Sequence, residues 1–157
     1  MAGEVIIYTD GSCLKNPGPG GYGVVMMAGK HRKELSGGFR RTTNNRMEIL
    51  AAVKALEALK RPCKVMLHTD SQYLVNTMMK GWAKGWRKNN WIKRDKSKAK
   101  NSDLWAVMLG LTDTHDVTFK WVKGHAGIEE NERCDELART AATDHPDQID
   151  EVYEQEN

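Results

Sequence analysis

The sequence predicts an α/β fold with a mixed β-sheet. Short apolar runs rich in β-branched residues are typical of buried strands, whereas other segments repeat apolar residues at the spacing of a helix. The order of these segments along the chain also supports this fold class. Three strand-like runs come first and are joined by short turns, and the later strands alternate with helices. This order favours an antiparallel meander that continues into a mixed sheet.

Five segments have the composition of strands. The run VIIYT at residues 5–9 is the most typical of a buried central strand. The other predicted strands lie at residues 22–28, 32–39, 64–69 and 117–122. Between the first two strands, the glycines and prolines of NPGPGG at residues 16–21 predict a hairpin turn.

Helical spacing is clearest after Thr43 or Asn44, either of which can cap a helix. Five apolar residues then fall on one stripe, namely Met47, Leu50, Val53, Leu56 and Leu59. Pro62 follows and is expected to end this helix. Further helices are predicted at residues 71–79, 102–111 and 129–142, with another helical piece in the Trp- and Lys-rich segment 82–100.

Length and composition predict one domain. The chain has 157 residues, of which 39% are hydrophobic, and this suits a single buried core. We expect that domain to span residues 1–143 and to be followed by an acidic, flexible C-terminal tail over 144–157. No apolar stretch reaches the length of a membrane span, and the N-terminal residues lack the basic start of a signal peptide. A cytoplasmic monomer is therefore expected.

The cysteines argue against a disulfide framework or a zinc site. Cys13, Cys63 and Cys134 are odd in number, widely spaced and without a CxxC motif. We interpret them as reduced thiols.

Charge is distributed unevenly along the chain. Residues 80–100 hold nine Lys or Arg against one Asp, whereas residues 144–157 hold six Asp or Glu and no Lys or Arg. A near-neutral body with such a basic segment indicates a polyanionic partner. The alternative is a lysine-rich face that only improves solubility.

Two aspartates stand where ligand sites of α/β sheets occur. Asp10 and Asp70 each follow a hydrophobic strand, and the helix between those strands is the natural crossover of a parallel pair. Both carboxylates should therefore emerge at one edge of the sheet. Glu48, in the first turn of that helix, can lean toward the same edge, or it can simply favour the helix dipole.

Spacing alone does not show whether a fourth acidic residue belongs to the same site. Asp135 lies in the last predicted helix among four glutamates, where a solvated helix face is an equally simple interpretation. Those neighbours are Glu129, Glu130, Glu132 and Glu136.

Four motifs together resemble bacterial type 1 ribonuclease H. They are YTDGSCLKNPGPGGYG, RTTNNRMEILAAVKALEAL, HTDSQYLV and WVKGHAGIEENERCDELA, and the similarity runs from about residue 4 to residue 142. The resemblance implies a five-stranded mixed sheet with helices on both faces. It also implies a metal-dependent endoribonuclease that hydrolyses the RNA strand of RNA·DNA hybrids and leaves 5′-phosphate and 3′-hydroxyl ends.

The resemblance also implies a catalytic set. Asp10, Glu48, Asp70 and Asp135 match the metal-binding carboxylates of the family, and His125 matches its loop histidine. Carboxylates without thiolates suit two Mg²⁺ ions, with Mn²⁺ as a possible substitute. A histidine between glycines can accept a proton or help the product leave, although loop histidines are often only polar surface.

Substrate contacts follow from the same resemblance. The 2′-hydroxyl is what separates RNA from DNA, and groups that both donate and accept hydrogen bonds can read it. The matching residues are the backbone of Gly11, Ser12 and Cys13 and the amides of Asn16, Asn44, Asn45 and Gln72. Helix capping is the alternative role for Asn44 and Asn45. Arg41, Thr43 and Asn101 match a pocket that binds a phosphate of the DNA strand.

The Trp- and Lys-rich segment resembles the basic protrusion of the bacterial family. Its aromatic and basic residues are expected to contact the hybrid, namely Trp82, Lys84, Trp86, Arg87, Lys88 and Trp91. Packing against a neighbouring helix is the alternative for one or two of the tryptophans. Relatives often pair Trp82 with an aromatic residue, and either Leu35 or Phe39 could take that place here.

Two other function classes remain at this point. A hybrid-binding module without catalysis would have no need for four carboxylates and a histidine. Integrases and junction resolvases share the expected fold and a carboxylate pair, but the basic protrusion favours hybrid hydrolysis.

Overall fold

The sheet places three antiparallel strands beside two parallel ones. The computed structural model describes residues 4–124 and 126–156. Its strands are Glu4–Cys13 (β1), Gly18–Ala28 (β2), His31–Thr42 (β3), Lys64–Thr69 (β4) and Asp116–Trp121 (β5). In the order β3-β2-β1-β4-β5, the first three strands form the meander, and β4 and β5 run parallel to β1. The predicted mixed sheet of five strands is confirmed.

The described residues form six helices, which connect or follow the strands. They are Asn44–Glu57 (α1), Gln72–Met79 (α2), Trp82–Lys88 (α3), Ser102–Thr114 (α4), Glu129–Thr143 (α5) and Glu151–Glu156 (α6). Of the helices that the described residues form, none combines the length and apolar character that crossing a membrane requires.

Helices lie on both faces of the sheet. Neighbouring strand residues point to opposite faces, and in β2 Gly20 faces Met47 of α1 whereas Gly21 faces Ala138 of α5. The main core lies on the α1 face, where Ile49, Leu56 and Trp105 are fully buried with strand residues such as Ile7 and Leu67. Thr43 caps α1 by accepting a hydrogen bond from the Arg46 N–H at 3.2 Å.

The glycine-rich stretch after Pro17 is strand rather than turn. The bend takes in residues 14–17, and Gly18–Ala28 already form β2. The prediction of a turn over residues 16–21 was therefore wrong for residues 18–21. The reason is tertiary, because α5 packs directly on β2. A Cβ atom at Gly21 would lie 2.5 Å from the carbonyl oxygen of Ala138, and one at Gly23 would lie closer still to that of Cys134.

The acidic C-terminal segment lies against β3 and α1. The Arg40 backbone N–H donates to the Gln148 carbonyl at 2.9 Å, and the Arg40 side chain forms an ion pair with Glu154 at 2.7 Å. Asp150 accepts hydrogen bonds from Thr42 and Arg46, both at 2.7 Å. This arrangement differs from the flexible tail expected from composition, because basic residues of the body attract the segment's carboxylates.

The segment 82–100 is helical only at its start. The helix α3 ends at Lys88, because Asn90 and Trp91 adopt positive φ angles of 55° and 66°. Turns follow, with a single bridge between Ile92 and Lys98. Trp86 and Trp91 pack against the core, as the alternative interpretation held, whereas Trp82 remains 43% exposed.

Candidate active site

Three carboxylates from separate elements meet at one edge of the sheet. Parallel pairing of β1 with β4 aligns Tyr8 with His68, so that Asp10 and Asp70 follow at the same edge. One oxygen atom from each of Asp10, Glu48 and Asp70 lies within 4.8 Å of the others. We call these three residues the carboxylate cluster.

Gly11 allows α1 to bring Glu48 into this cluster. A Cβ atom at Gly11 would lie 2.6 Å from the carbonyl carbon of Met47, so any larger residue would push the helix away from β1. The Gly11 N–H also donates to Asp10 Oδ1 at 2.9 Å and fixes that carboxylate. The glycine after the aspartate thus positions two acids together.

Burial and mutual repulsion disfavour negative charge in the carboxylate cluster. Burial, and then the charge of Asp70, raises the pKa of Asp10 from 3.8 to about 8. Burial, and then the charge of Asp10, raises the pKa of Glu48 well above its ordinary value. Glu48 Oε1 is buried and has no hydrogen-bond partner among the described residues. Hard oxygen ligands with an unsatisfied acceptor fit a divalent cation such as Mg²⁺.

Asp135 lies at the rim of the site rather than within the carboxylate cluster. It lines the same cleft, and its charge contributes to the raised pKa of Asp10. Its side chain is 22% exposed, and Oδ2 accepts a hydrogen bond from Arg139 Nε at 2.9 Å. The predicted His125 lies outside the described residues.

An open cleft of about 510 Å³ contains the carboxylate cluster. Its lining includes most residues expected to read the RNA strand, namely Gly11, Ser12, Asn44, Asn45 and Gln72. Cys13 is not among the lining residues, and its thiol donates to the Lys15 carbonyl at 2.8 Å.

Sequence reasoning missed two lining residues, Ser71 and Tyr73. Ser71 caps α2 by accepting from the Leu74 N–H at 3.1 Å. The Tyr73 hydroxyl accepts hydrogen bonds from Asn101 Nδ2 and Trp105 Nε1, both at 3.3 Å. Their position directly after Asp70 was the available signal, because residues that follow a strand in a parallel sheet line the same edge.

A second pocket of about 490 Å³ adjoins the first through Asn45. Besides Asn45, three residues expected to contact the hybrid line it, namely Asn16, Thr43 and Asn101. Asn16 Oδ1 accepts a hydrogen bond from the Asn44 N–H at 3.1 Å. Arg41 is exposed and is not among the lining residues. We call this depression the Asn101 pocket.

The basic protrusion presents an exposed aromatic and basic surface. Trp82 and Trp86 border a groove of about 540 Å³ that is closed by Ile92, Lys93 and Arg94. Lys80 Nζ lies 5.6 Å from the centre of the Trp82 ring. Nearby cations are exposed, namely Lys84, Arg87 and Lys88, and Arg87 pairs with Asp113 at 3.2 Å. On β3, Leu35 packs against the core, and Phe39 bridges to Gln148.

Comparison with known proteins decides the family. The sequence model of the family described as RNase H matches residues 2–143. This chain belongs to the RNase H family. A "Ribonuclease H" of Syntrophus aciditrophicus is 64% identical over 139 residues, which cover 88% of this chain and 80% of that protein. A "Ribonuclease HI" of Synechocystis is 56% identical over 151 residues, which cover 96% and 94% of the two chains.

Solved structures of RNase H proteins share the fold. LC9-RNase H1, described as a type 1 RNase H with the type 2 active-site motif, superimposes with a TM-score of 0.82 at 31% identity over 99% of this chain and 81% of its own. LC11-RNase H1, solved in complex with an RNA/DNA hybrid, gives 0.69 at 26% identity over 89% and 97%. The resemblance to type 1 ribonuclease H is therefore confirmed at the level of family and fold.

Proposed function

We propose that this chain is an endoribonuclease that hydrolyses the RNA strand of RNA·DNA hybrids with two divalent cations held at the carboxylate cluster. The observation that carries the proposal is the approach of three buried carboxylates to within 4.8 Å of one another in an open cleft. Membership of the RNase H family supports the substrate class. The products are 5′-phosphate and 3′-hydroxyl ends.

The carboxylates divide the work of holding the ions. Asp10, within β1, faces both Glu48 and Asp70, and these three carboxylates would hold the ions. Asp135, at the rim, would help to hold an ion in the same cleft. When bound, such ions supply a nucleophilic hydroxide and stabilise negative charge on the phosphoryl and leaving oxygens. Mg²⁺ fits this oxygen-only set, with Mn²⁺ as a substitute.

His125 is proposed to move a proton or to help the product leave. The preceding residue lies next to the carboxylate cluster, because a Cβ atom at Gly124 would lie 2.7 Å from Asp70 Oδ2. Gly124 therefore lies beside Asp70. An imidazole there can change its charge near neutral pH.

Selection of RNA is assigned to the cleft beside the carboxylates. The backbone at Gly11, Ser12 and Cys13 and the amides of Asn16, Asn44, Asn45 and Gln72 are proposed to contact the minor groove and its 2′-hydroxyls. Five of these residues line the cleft. LC11-RNase H1, which shares the fold, was solved in complex with an RNA/DNA hybrid, and this supports a hybrid as the ligand.

The DNA strand is proposed to contact the Asn101 pocket and the basic protrusion. Thr43 and Asn101, with Arg41 nearby, would bind one phosphate. Further along, exposed cations would neutralise phosphates and Trp82 would meet a sugar or base. Trp86 and Trp91 act mainly by packing, so Trp82 is the aromatic residue most available to the hybrid.

We further propose that the protein acts as a monomer in the cytoplasm. Cys134 is a buried free thiol, and its Sγ donates to the Tyr8 carbonyl at 3.1 Å. Such a free thiol suits a reducing compartment.

A substrate panel tests the proposed function. Purified protein with Mg²⁺ is given four labelled substrates: RNA·DNA hybrid, double-stranded RNA, double-stranded DNA and single-stranded RNA. We expect cleavage of the RNA strand of the hybrid alone. Binding of the hybrid without cleavage would instead indicate a binding module, and cleavage of double-stranded DNA would indicate a different nuclease class.

A further inference from the structure

We propose that Arg46 is a positioning residue that sets the side-chain amide of Asn101 for a phosphate, and that Asp150 of the C-terminal segment holds Arg46 in place. The inference rests on the proposed function, which assigns the Asn101 pocket to the hybrid. It gives the C-terminal segment a part in substrate binding, although that segment is acidic.

Arg46 is buried and fully engaged. It is 4% exposed, although arginine is among the residues least often buried. Nε and Nη2 donate to the two oxygens of Asp150 at 2.7 and 3.0 Å, and Nη1 and Nη2 donate to those of Asp103 at 3.0 and 2.7 Å. The fifth donor, on Nη1, reaches Asn101 Oδ1 at 3.2 Å. Paired bonds of this kind fix the plane of a guanidinium.

This network determines which end of the Asn101 side-chain amide is available to a ligand in the Asn101 pocket. Arg46 engages Oδ1, and Nδ2 donates to the Tyr73 hydroxyl at 3.3 Å. One hydrogen of Nδ2 is then left for a ligand in the pocket that Asn101 lines. A phosphate only accepts hydrogen bonds, so it is bound by the amide in this orientation and repelled by the reverse one.

The backbone at Asn101 gives the amide no other anchor. Asn101 precedes α4 with a φ of 61°, and its side chain does not cap that helix. Its orientation therefore depends on Arg46 and Tyr73 among the described residues. Without Arg46, Oδ1 would lose its charged donor and the amide would be free to rotate.

Asp150 is in turn fixed to the body of the protein. Its Oδ2 accepts from Thr42 Oγ1 at 2.7 Å as well as from Arg46. The same C-terminal segment is joined to β3 by the pair Arg40–Glu154. Asp150 and Asn101 share no hydrogen bond with each other in the described network, and Arg46 contacts both. Asp150 Oδ1 also accepts a hydrogen bond from the Tyr153 backbone N–H at 3.4 Å.

A double-mutant cycle tests this chain of contacts. Affinity for a fluorescent RNA·DNA hybrid is measured by anisotropy in EDTA, which prevents cleavage, for the wild type, Asp150→Ala, Asn101→Ala and the double variant. We expect Asp150→Ala to weaken binding by roughly threefold to tenfold in the wild type and to have little effect once Asn101 is replaced. In Mg²⁺, KM should rise similarly while kcat stays within about twofold, since neither residue belongs to the carboxylate cluster.

Controls separate positioning from loss of structure. Glu154→Gln removes the charge and one of the two acceptors of the Arg40 contact in the same segment but leaves Arg46 engaged, so hybrid affinity should stay unchanged. Asp150→Asn keeps one acceptor and takes the place of Asp150→Ala in the cycle if the alanine variant does not fold.

Three results would overturn the inference. Equal losses of affinity in both backgrounds would mean that Asp150 acts independently of Asn101. Unchanged affinity would mean that the orientation of the amide is set without Arg46. Tighter binding would mean that the acidic segment competes with the hybrid, through Glu156 at the rim of the Asn101 pocket. A wild-type protein that binds the hybrid but never cleaves it would contradict the proposed function and leave the cycle interpretable.

Discussion

Asp10 is a buried carboxylate whose negative charge is unfavourable in the folded protein. It lies within the central strand β1, against Glu48 and Asp70, and is only 6% exposed. Such a carboxylate is destabilising when ionised and no cation is bound. The same position is suited to binding a cation, because folding has already brought the carboxylates together against their mutual repulsion.

The raised pKa of Asp10 predicts how stability depends on pH. Because its folded pKa of about 8 exceeds the ordinary 3.8, the stabilising effect of the bound proton is complete at low pH and is lost as pH rises through about 8. We therefore expect Asp10→Asn to be more stable than the wild type at pH 9 in EDTA, by at least about 1.4 kcal/mol. At pH 4 the two should be alike. Denaturant unfolding measures this, with Asp147→Asn at an exposed position as the control.

Metal binding should offset the loss of stability that ionised Asp10 causes. A cation that binds only the folded state raises its stability by mass action. At pH 8, millimolar Mg²⁺ should raise the melting temperature of the wild type and leave that of Asp10→Asn almost unchanged. An equal rise in both proteins would place the stabilising ion elsewhere.

At the scale of elements, the contact of α5 with β2 determines where Asp135 lies. A Cβ atom at Gly23 would meet Leu137 Cβ at 2.9 Å and the α5 backbone as well. We expect Gly23→Ala to destabilise the fold by roughly 1–3 kcal/mol and to lower hybrid cleavage by moving α5. Gly110→Ala is the matched control, because nothing lies within 4 Å of a Cβ there and alanine favours a helix. Equal effects of the two changes would contradict the role given to the close approach.

The basic protrusion is expected to act on binding rather than on chemistry. Replacing Lys88, Lys93 and Lys96 by Ala should raise KM more than it lowers kcat, because these exposed cations lie outside the carboxylate cluster. Three exposed lysines toward the opposite edge of the sheet serve as the control set, namely Lys30, Lys33 and Lys60. An unchanged KM at about 0.1 M salt, where long-range attraction is already screened, would rule out this role.

At the scale of the whole molecule, the sequence predicted what depends on local periodicity. Every strand and the long helix after Thr43 were predictable, because apolar residues alternate or repeat along the chain. The crossover between parallel strands then placed Asp10 and Asp70 at one edge. Spacing alone did not choose Asp135 over its glutamate neighbours, because the choice depends on how α5 packs against β2.

Contacts between distant segments were not predictable from the sequence. Gly18, Gly20 and Gly21 were expected in a turn, but they are strand residues of β2, where Gly21 packs against α5 more than 110 residues later. The acidic C-terminal segment was expected to be solvated, but it provides the partner of a buried arginine 104 residues earlier. Composition describes a segment by itself and carries no information about such partners.

Hybrid cleavage by the wild type and by Asp10→Asn, side by side in Mg²⁺, tests the central claim most directly. Because the variant removes a repulsive buried charge, it should remain folded, and melting curves of the same samples check this. We predict Mg²⁺-dependent cleavage of the RNA strand by the wild type and a rate at least about 100-fold lower for the variant. Normal Mg²⁺-dependent cleavage by folded Asp10→Asn would contradict the assignment of catalysis to the carboxylate cluster.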